Sequence, residues 1–296
     1  SFSFISTANS VMFVNAKPIF ADIEETTLGL NPELLEEKIS SSTKAIVPMD
    51  YGGLSCNIFE INNVAKNNNI LLIEDGAEAL GSSVHGKKVG SVSDSTIFSF
   101  CGNKVLTTGE GGAVVTNSKD IYEKIKMVRS HGRISQIDYF NDPKGSQYIE
   151  LGYNWRMSSL TAALGISQLG KLDKIIKMRK ENAEYISARL SKFTQITPLT
   201  PPVGYDHIYQ MYTIKLPDRK IRNSLHNYLL DKRIFSKIYF EPIHLTDFYR
   251  QKFGIKDGAL PITEKISQCI LTIPIYPNMT MEEKTYLVES ISDFFE

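Results

Sequence analysis

The chain has 296 residues, enough to bury a sizeable core in one large domain or two unequal ones. Its 33 Lys and Arg balance 33 Asp and Glu without any long basic block, which argues against a nucleic-acid partner. Cys56, Cys101 and Cys269 are odd in number and widely spaced, so they suit neither a zinc pattern nor a disulfide framework and point to a reducing compartment with no bound metal. No apolar run approaches the roughly 20 residues that a membrane helix needs. The opening "SFSFISTANS" lacks the basic region and apolar core of a signal peptide. Together these features predict a soluble, cytoplasmic protein without a membrane partner.

The first residues read as part of a strand, and "KPIFADI" (17–23) as the next. "NPELLEEKIS" (31–40) reads as a helix opened by Asn31 with Pro32 in its first position. "KAIVPMD" (44–50) is a strand ending in the turn "YGG". "IFEINNVAKNNN" (58–69) is a helix, and "ILLIED" (70–75), "STIFSF" and "GAVVTN" are further strands. Strands and helices alternating at this spacing predict an α/β domain whose mostly parallel sheet is covered on both faces. After "LGYNWRM", Met157, Leu160, Leu164, Leu169, Leu172 and Ile176 follow helical steps, and the pattern runs on to about residue 191 as one long helix joining two domains. "PLTPPVGYD" (198–206) breaks it. The remainder mixes "IYQMYTIKL" with two helical runs, predicting a smaller α+β domain. The expected division is residues 1–180 and 181–296.

Asp75 ends the buried run "ILLIED", where the carboxyl ends of parallel strands form ligand clefts. Lys104 follows the next strand in "FCGNKVLTTGEGG" and can approach the same cleft. Two readings stand side by side: a structural ion pair, or an amine that bonds a carbonyl while a carboxylate serves a cofactor's ring nitrogen. The glycines after the lysine allow a tight turn before the next strand. No G-x-G-x-x-G turn follows the strands, which argues against a nicotinamide-binding sheet.

"IEDGAEALGS", "FSFCGNKVLTTGEGG" and "LGYNWRMSSLTAALGISQL", in this order and spacing, resemble the DegT/DnrJ/EryC1/StrS family of sugar aminotransferases. The resemblance runs from "SFSFISTAN" to "LTIPIYPNMTMEEKTYLVESI". It implies the aspartate aminotransferase-like (type I) fold and pyridoxal 5'-phosphate as cofactor. It further implies that Lys104 is the lysine that bonds the cofactor and shuttles a proton. Asp75 is then the partner of the pyridinium nitrogen, whose protonated ring is an electron sink. Glu78 would lie near the phenolic oxygen, Ser99 would bind the phosphate, and Phe4 would stack on the ring. Asn154 would reach the phosphate of a neighbouring subunit, so that a homodimer shares its active sites. Read by residue type alone, Glu78 opens a helix from the surface, Ser99 is a strand serine, Asn154 is a helix N-cap and Phe4 is core.

Within the family the motifs look most like GDP-perosamine synthase and its relatives. That likeness implies an amino group passing from glutamate to a nucleotide-linked 4-keto-6-deoxy sugar, in the service of polysaccharide or O-antigen biosynthesis. His244 in "YFEPIHLTDFYRQKFG" is a candidate sugar-nucleotide contact or a structural histidine. His131 and Arg133 in "SHGR" are candidates for a diphosphate or members of a solvated loop. A lysine at position 104 argues against the dehydrating subgroup, which carries histidine there. Family members begin several dozen residues before "SFSF" and place a phosphate-holding turn in that segment. The sequence is therefore expected to be a fragment or a truncated form. The alternative activity is a non-catalytic relative that binds sugar nucleotide without turnover.

Overall fold

The computed structural model describes residues 1–134 and 147–296. In its first half β1 (Ala45–Ile46), β2 (Leu71–Asp75) and β3 (Ser95–Ser99) run parallel, and β4 (Gly112–Val115) lies antiparallel along β3. Helix α2 (Ile58–Asn67) forms the crossover from β1 to β2 and packs Ile58, Ile61 and Ala65 on Ile46 and Leu72. The mixed, mostly parallel α/β sheet predicted from "KAIVPMD", "ILLIED", "STIFSF" and "GAVVTN" is therefore present.

Side chains alternate along a strand, so register sorts them onto two faces. Asp75 pairs with Ile97, Ile97 with Val114, and Ser99 with Gly112. Leu71, Asp75, Ile97, Ser99 and Val114 thus share one face, while Leu72, Glu74, Thr96 and Phe98 share the other. Helix α2 closes the second face, where Leu72 is 0% exposed. The first face is open: its neighbour Leu71 is 50% exposed, and Ile97 and Val114 are exposed too. The expected mixed, mostly parallel sheet stands: α2 packs on one face, and α1 (Ile5–Phe13) reaches the strand ends of the other through Thr7 and Asp75.

Helix α1 (Ile5–Phe13) precedes the sheet and α3 (Lys119–Val128) follows it. The second half holds α4 (Ser159–Leu169), α5 (Leu172–Leu190) and an antiparallel sheet of β5 (Thr197–Pro198), β6 (Tyr212–Lys215) and β7 (Ile270–Ile273), with β6 in the centre. Helices α6 (Arg219–Asp231), α7 (Asp247–Phe253), α8 (Pro261–Cys269) and α9 (Met281–Phe295) complete it. Ala183, Ile186 and Leu190 of α5 meet Tyr212, Ile214, Leu225, Leu271, Leu287 and Ile291 in the largest apolar core among the described residues.

Several local expectations are corrected. Residues 5–13 form a helix, not a strand. Residues 17–23 form no strand: Asp22 accepts bonds from Ile262 N (2.9 Å), Thr263 N (2.7 Å) and Thr263 Oγ1 (2.7 Å), so this segment caps α8 instead of joining a ladder. Residues 31–40 are two short tight turns, 32–34 and 36–38, with i to i+3 bonds such as Lys38 N to Leu35 O. Only Leu35 of that stretch is buried, too little apolar surface to hold a full helix. The long helix is broken at Gly170–Lys171, a weak helix position, and begins after Met157, with Ser158 as its cap. Asn154 is therefore not an N-cap.

Candidate active site

Asp75 closes β2 and Ser99 closes the neighbouring β3, both on the open face at the carboxyl ends of parallel strands. The Asp75 carboxylate accepts bonds from Thr7 Oγ1 at 2.6 Å and Ala77 N at 3.1 Å. Thr7 lies in the first turn of α1, which begins at Phe4, and Thr7 N donates to the Phe4 carbonyl at 3.1 Å. Helix α1 thus sets the Phe4 ring, 59% exposed and outside any core, one turn from the hydroxyl that holds the acid. Ser99 Oγ accepts a bond from Cys101 N at 3.3 Å as the strand turns into the lysine loop.

Lys104 Nζ donates to Glu78 Oε1 at 3.1 Å, and the opposite oxygen, Oε2, accepts from Gly52 N at 2.9 Å. Gly52 has φ +62°, a conformation that glycine adopts freely and that here accompanies an N–H donated to Glu78. Glu78 is buried and no helix follows it, so it is not a surface residue opening one. Burial pushes its carboxyl upward, while the Lys104 charge and the Gly52 N–H pull it back. The amine is three-quarters or more enclosed, with 14% side-chain exposure, and is held by a carboxylate that is itself pinned to backbone. The ion-pair reading of the sequence is met by Glu78, not by Asp75.

The loop that aims Lys104 is anchored on both sides. Val105 and Leu106 sink against Leu172, Ile176 and Ile208. Thr108 N and Thr107 Oγ1 return to the Phe100 carbonyl at 2.9 and 3.2 Å, and Gly109 turns the chain at φ +82°. Gln210 Nε2 donates to the Asn103 carbonyl at 2.8 Å. Gln210 is in turn held by Arg179, whose Nη1 donates to the carbonyls of Tyr209 (2.9 Å), Gln210 (3.3 Å) and Ile275 (3.3 Å). Burial brings the Arg179 guanidinium down to about 10.

Asn154 is exposed and sits in an antiparallel bridge with Ser130, in a segment where His131 N donates to Tyr153 O at 2.8 Å and Trp155 N to Arg129 O at 2.9 Å. His131 and Arg133 therefore cluster with Asn154, and Arg133 begins a short strand paired with residues 147–148. Met157 ties this segment to the lysine loop: a Cβ built on Gly111 would meet Met157 Cε at 3.1 Å. His244 lies apart. It is 0% exposed, with Nδ1 bonded to Ser1 Oγ at 2.6 Å and Nε2 to Glu264 Oε1 at 3.1 Å. Burial lowers its imidazole pKa against the pull of Glu264. Both nitrogens are engaged, so the sugar-contact expectation for His244 is corrected to its structural alternative.

Thr7, Gln210 and Gly52 escape a reading by motif. Gln210 alone offers a signal, a carboxamide inside the otherwise apolar and aromatic run "IYQMY".

A fixed acid, an enclosed amine and a free aromatic ring at one strand-end mouth suit a flat cofactor bearing an aldehyde and a basic ring nitrogen, and the residues fit pyridoxal phosphate on the chemistry of these donors. The fold that carries them is that of the pyridoxal-phosphate-dependent sugar aminotransferases. The chain belongs to the DegT/DnrJ/EryC1/StrS aminotransferase family, whose family model matches residues 1–292. It is 33% identical over 293 residues to GDP-perosamine synthase of Escherichia coli O157:H7, covering 99% of this chain and 77% of that protein. It is 34% identical over 301 residues to the UDP-4-amino-4,6-dideoxy-N-acetyl-beta-L-altrosamine transaminase of Campylobacter jejuni, covering 99% and 77%. The solved structure of Helicobacter pylori PseC, an aminotransferase involved in the biosynthesis of pseudoaminic acid, superposes with a TM-score of 0.93 at 29% identity, over 99% of this chain and 78% of that one. No helix among the described residues is long and apolar enough to cross a membrane.

Proposed function

We propose that this transaminase moves an amino group from glutamate to the 4-keto carbon of a nucleotide-linked 4-keto-6-deoxy sugar, in the manner of GDP-perosamine synthase. The observation that carries the reading is the enclosed Lys104 amine held 3.1 Å from Glu78 in a loop that opens at the end of the Asp75 sheet. The names of two relatives, one a perosamine synthase and one acting on a 4-amino-4,6-dideoxy sugar, support amination at carbon 4.

Pyridoxal phosphate supplies an aldehyde carbon and an electron-accepting ring when bound. Asp75, held by Thr7 and Ala77, would keep a proton on the ring nitrogen, and Phe4 would stack on the ring. Glu78 holds Lys104 Nζ, and with cofactor and donor bound that nitrogen would be the group to take the proton from the donor's α-carbon. Ser99 binds the phosphate. Asn154 serves the phosphate of the opposite subunit in a homodimer, and His131 and Arg133, grouped with it, receive the nucleotide's diphosphate. We assign residues 1–180 to the cofactor domain and 181–296 to the smaller domain.

The test is optical and then catalytic. Purified protein with added pyridoxal phosphate is expected to absorb in the visible, to lose that band on addition of glutamate, and to turn over GDP- or UDP-linked 4-keto-6-deoxy sugars. A protein that stays colourless supports the non-catalytic relative instead. A band that bleaches without turnover of any 4-keto sugar nucleotide overturns the substrate assignment alone.

A further inference from the structure

On the closed face of the sheet two carboxyls are buried on the same side. Asp50 N donates to Asp75 O at 3.0 Å, Asp75 N donates to Pro48 O at 2.8 Å, and Met49 bridges Asp75 in parallel register. Alternation then turns Asp50 and Glu74 to the same side, opposite to Asp75. Asp50 is 0% exposed and Glu74 is 1% exposed. Three donors meet Glu74 Oε2: Thr96 Oγ1 at 2.6 Å, Ser93 Oγ at 3.0 Å and Gly90 N at 3.2 Å. Asp50 Oδ1 accepts from Cys56 N at 2.9 Å. The remaining oxygens, Asp50 Oδ2 and Glu74 Oε1, are buried and meet no hydrogen-bond donor.

Asp50 faces the charges of Glu74 and Asp75 from β2, while the Cys56 backbone and side chain hydrogen-bond it from the loop before α2. Among the described residues no ion pair reaches either carboxyl. Two buried carboxylates on one side of a sheet are far costlier than one carboxylate and one acid.

We propose that Asp50 and Glu74 form a proton-sharing pair, with one proton held between Asp50 Oδ2 and Glu74 Oε1 and one negative charge for the two. Burial and the Glu74 charge push the Asp50 acid well above its ordinary value, in keeping with this. The pair sits at the root of the turn that points Gly52 N at Glu78, two residues beyond Asp50, so the shared proton is a positioning element for the grip on Lys104. The folded chain keeps a proton that the unfolded chain gives up above pH of about 4. The raised Asp50 acid therefore weakens folding as pH rises above its ordinary value, the sign set by fewer protons bound in the unfolded state.

Infrared spectroscopy of the wild-type protein in D2O at neutral pH is expected to show a carboxylic-acid C=O stretch, separate from the carboxylate bands, that disappears in both Asp50→Asn and Glu74→Gln. Loss in both variants identifies sharing, because either substitution supplies an amide donor and leaves one acid that needs no proton. A wild-type spectrum without the band overturns the proposal, and this holds even if a variant fails to fold. A band that survives Glu74→Gln at full strength overturns it too, since the proton would then belong to an isolated acid. Where Asp50→Asn folds, its stability is expected to lose the fall between about pH 4 and neutrality that the wild type shows.

Discussion

The two faces of the first sheet carry the same kind of sequence and do different work. On the closed face, Leu72, Glu74, Thr96 and Phe98 are buried: Leu72 packs on α2, and Glu74 Oε2 accepts bonds from Thr96, Ser93 and Gly90. On the open face, one residue out of step along the same strands, Asp75 and Ser99 stand beside Leu71, Ile97 and Val114, which remain exposed. A one-residue alternation is thus all that separates a buried carboxylate from the one proposed to serve the cofactor.

The comparison breaks first at the lysine. Lys104→Ala is expected to abolish the visible band with pyridoxal phosphate and to lower turnover by roughly 10³-fold or more, within the range for removing a proton-transferring group, while thermal stability stays close to wild type. Asp75→Asn removes the charge but keeps the shape. It is expected to cost about 10²-fold in kcat and to shift the cofactor's absorbance, again with little change in Tm. An intact rate in either variant would show that the open face is not where the chemistry is.

Stability sharpens the contrast from the other side. Leu72→Ala is expected to destabilise by about 2–5 kcal/mol in denaturant unfolding, and Leu71→Ala by less than about 0.5 kcal/mol, although the two residues are adjacent. Equal effects would mean that the open face is as well packed as the closed one. Thr96→Val removes the shortest bond to Glu74 and is expected to cost about 1–3 kcal/mol with cofactor binding unchanged.

Much of the first sheet was legible because its signals are local. "ILLIED" and "STIFSF" are short buried runs bounded by turns, and a helical pattern between strands demands a parallel crossover. Lys104, Asp75 and Glu78 were found by motif, and the structure joins Lys104 to Glu78 directly. What stayed hidden depends on contacts far apart in sequence. "KPIFADI" has strand composition, yet Asp22 is spent on the start of α8, 240 residues on. His244 looks like a ligand contact until Glu264 and Ser1 are seen to close on both its nitrogens. Thr7 carries no signal at all, because nothing in "SFSFISTAN" states that its hydroxyl will meet a strand end 68 residues later.

Arg179 gives the reactive loop a mechanical connection to the second half of the chain. Its guanidinium, riding on α5, holds the Gln210 carbonyl, and the Gln210 carboxamide holds the carbonyl of Asn103, the residue next to Lys104. Sliding of α5 against the first sheet would pull on that tether, so the position of the Lys104 loop is coupled to the distal part of the chain.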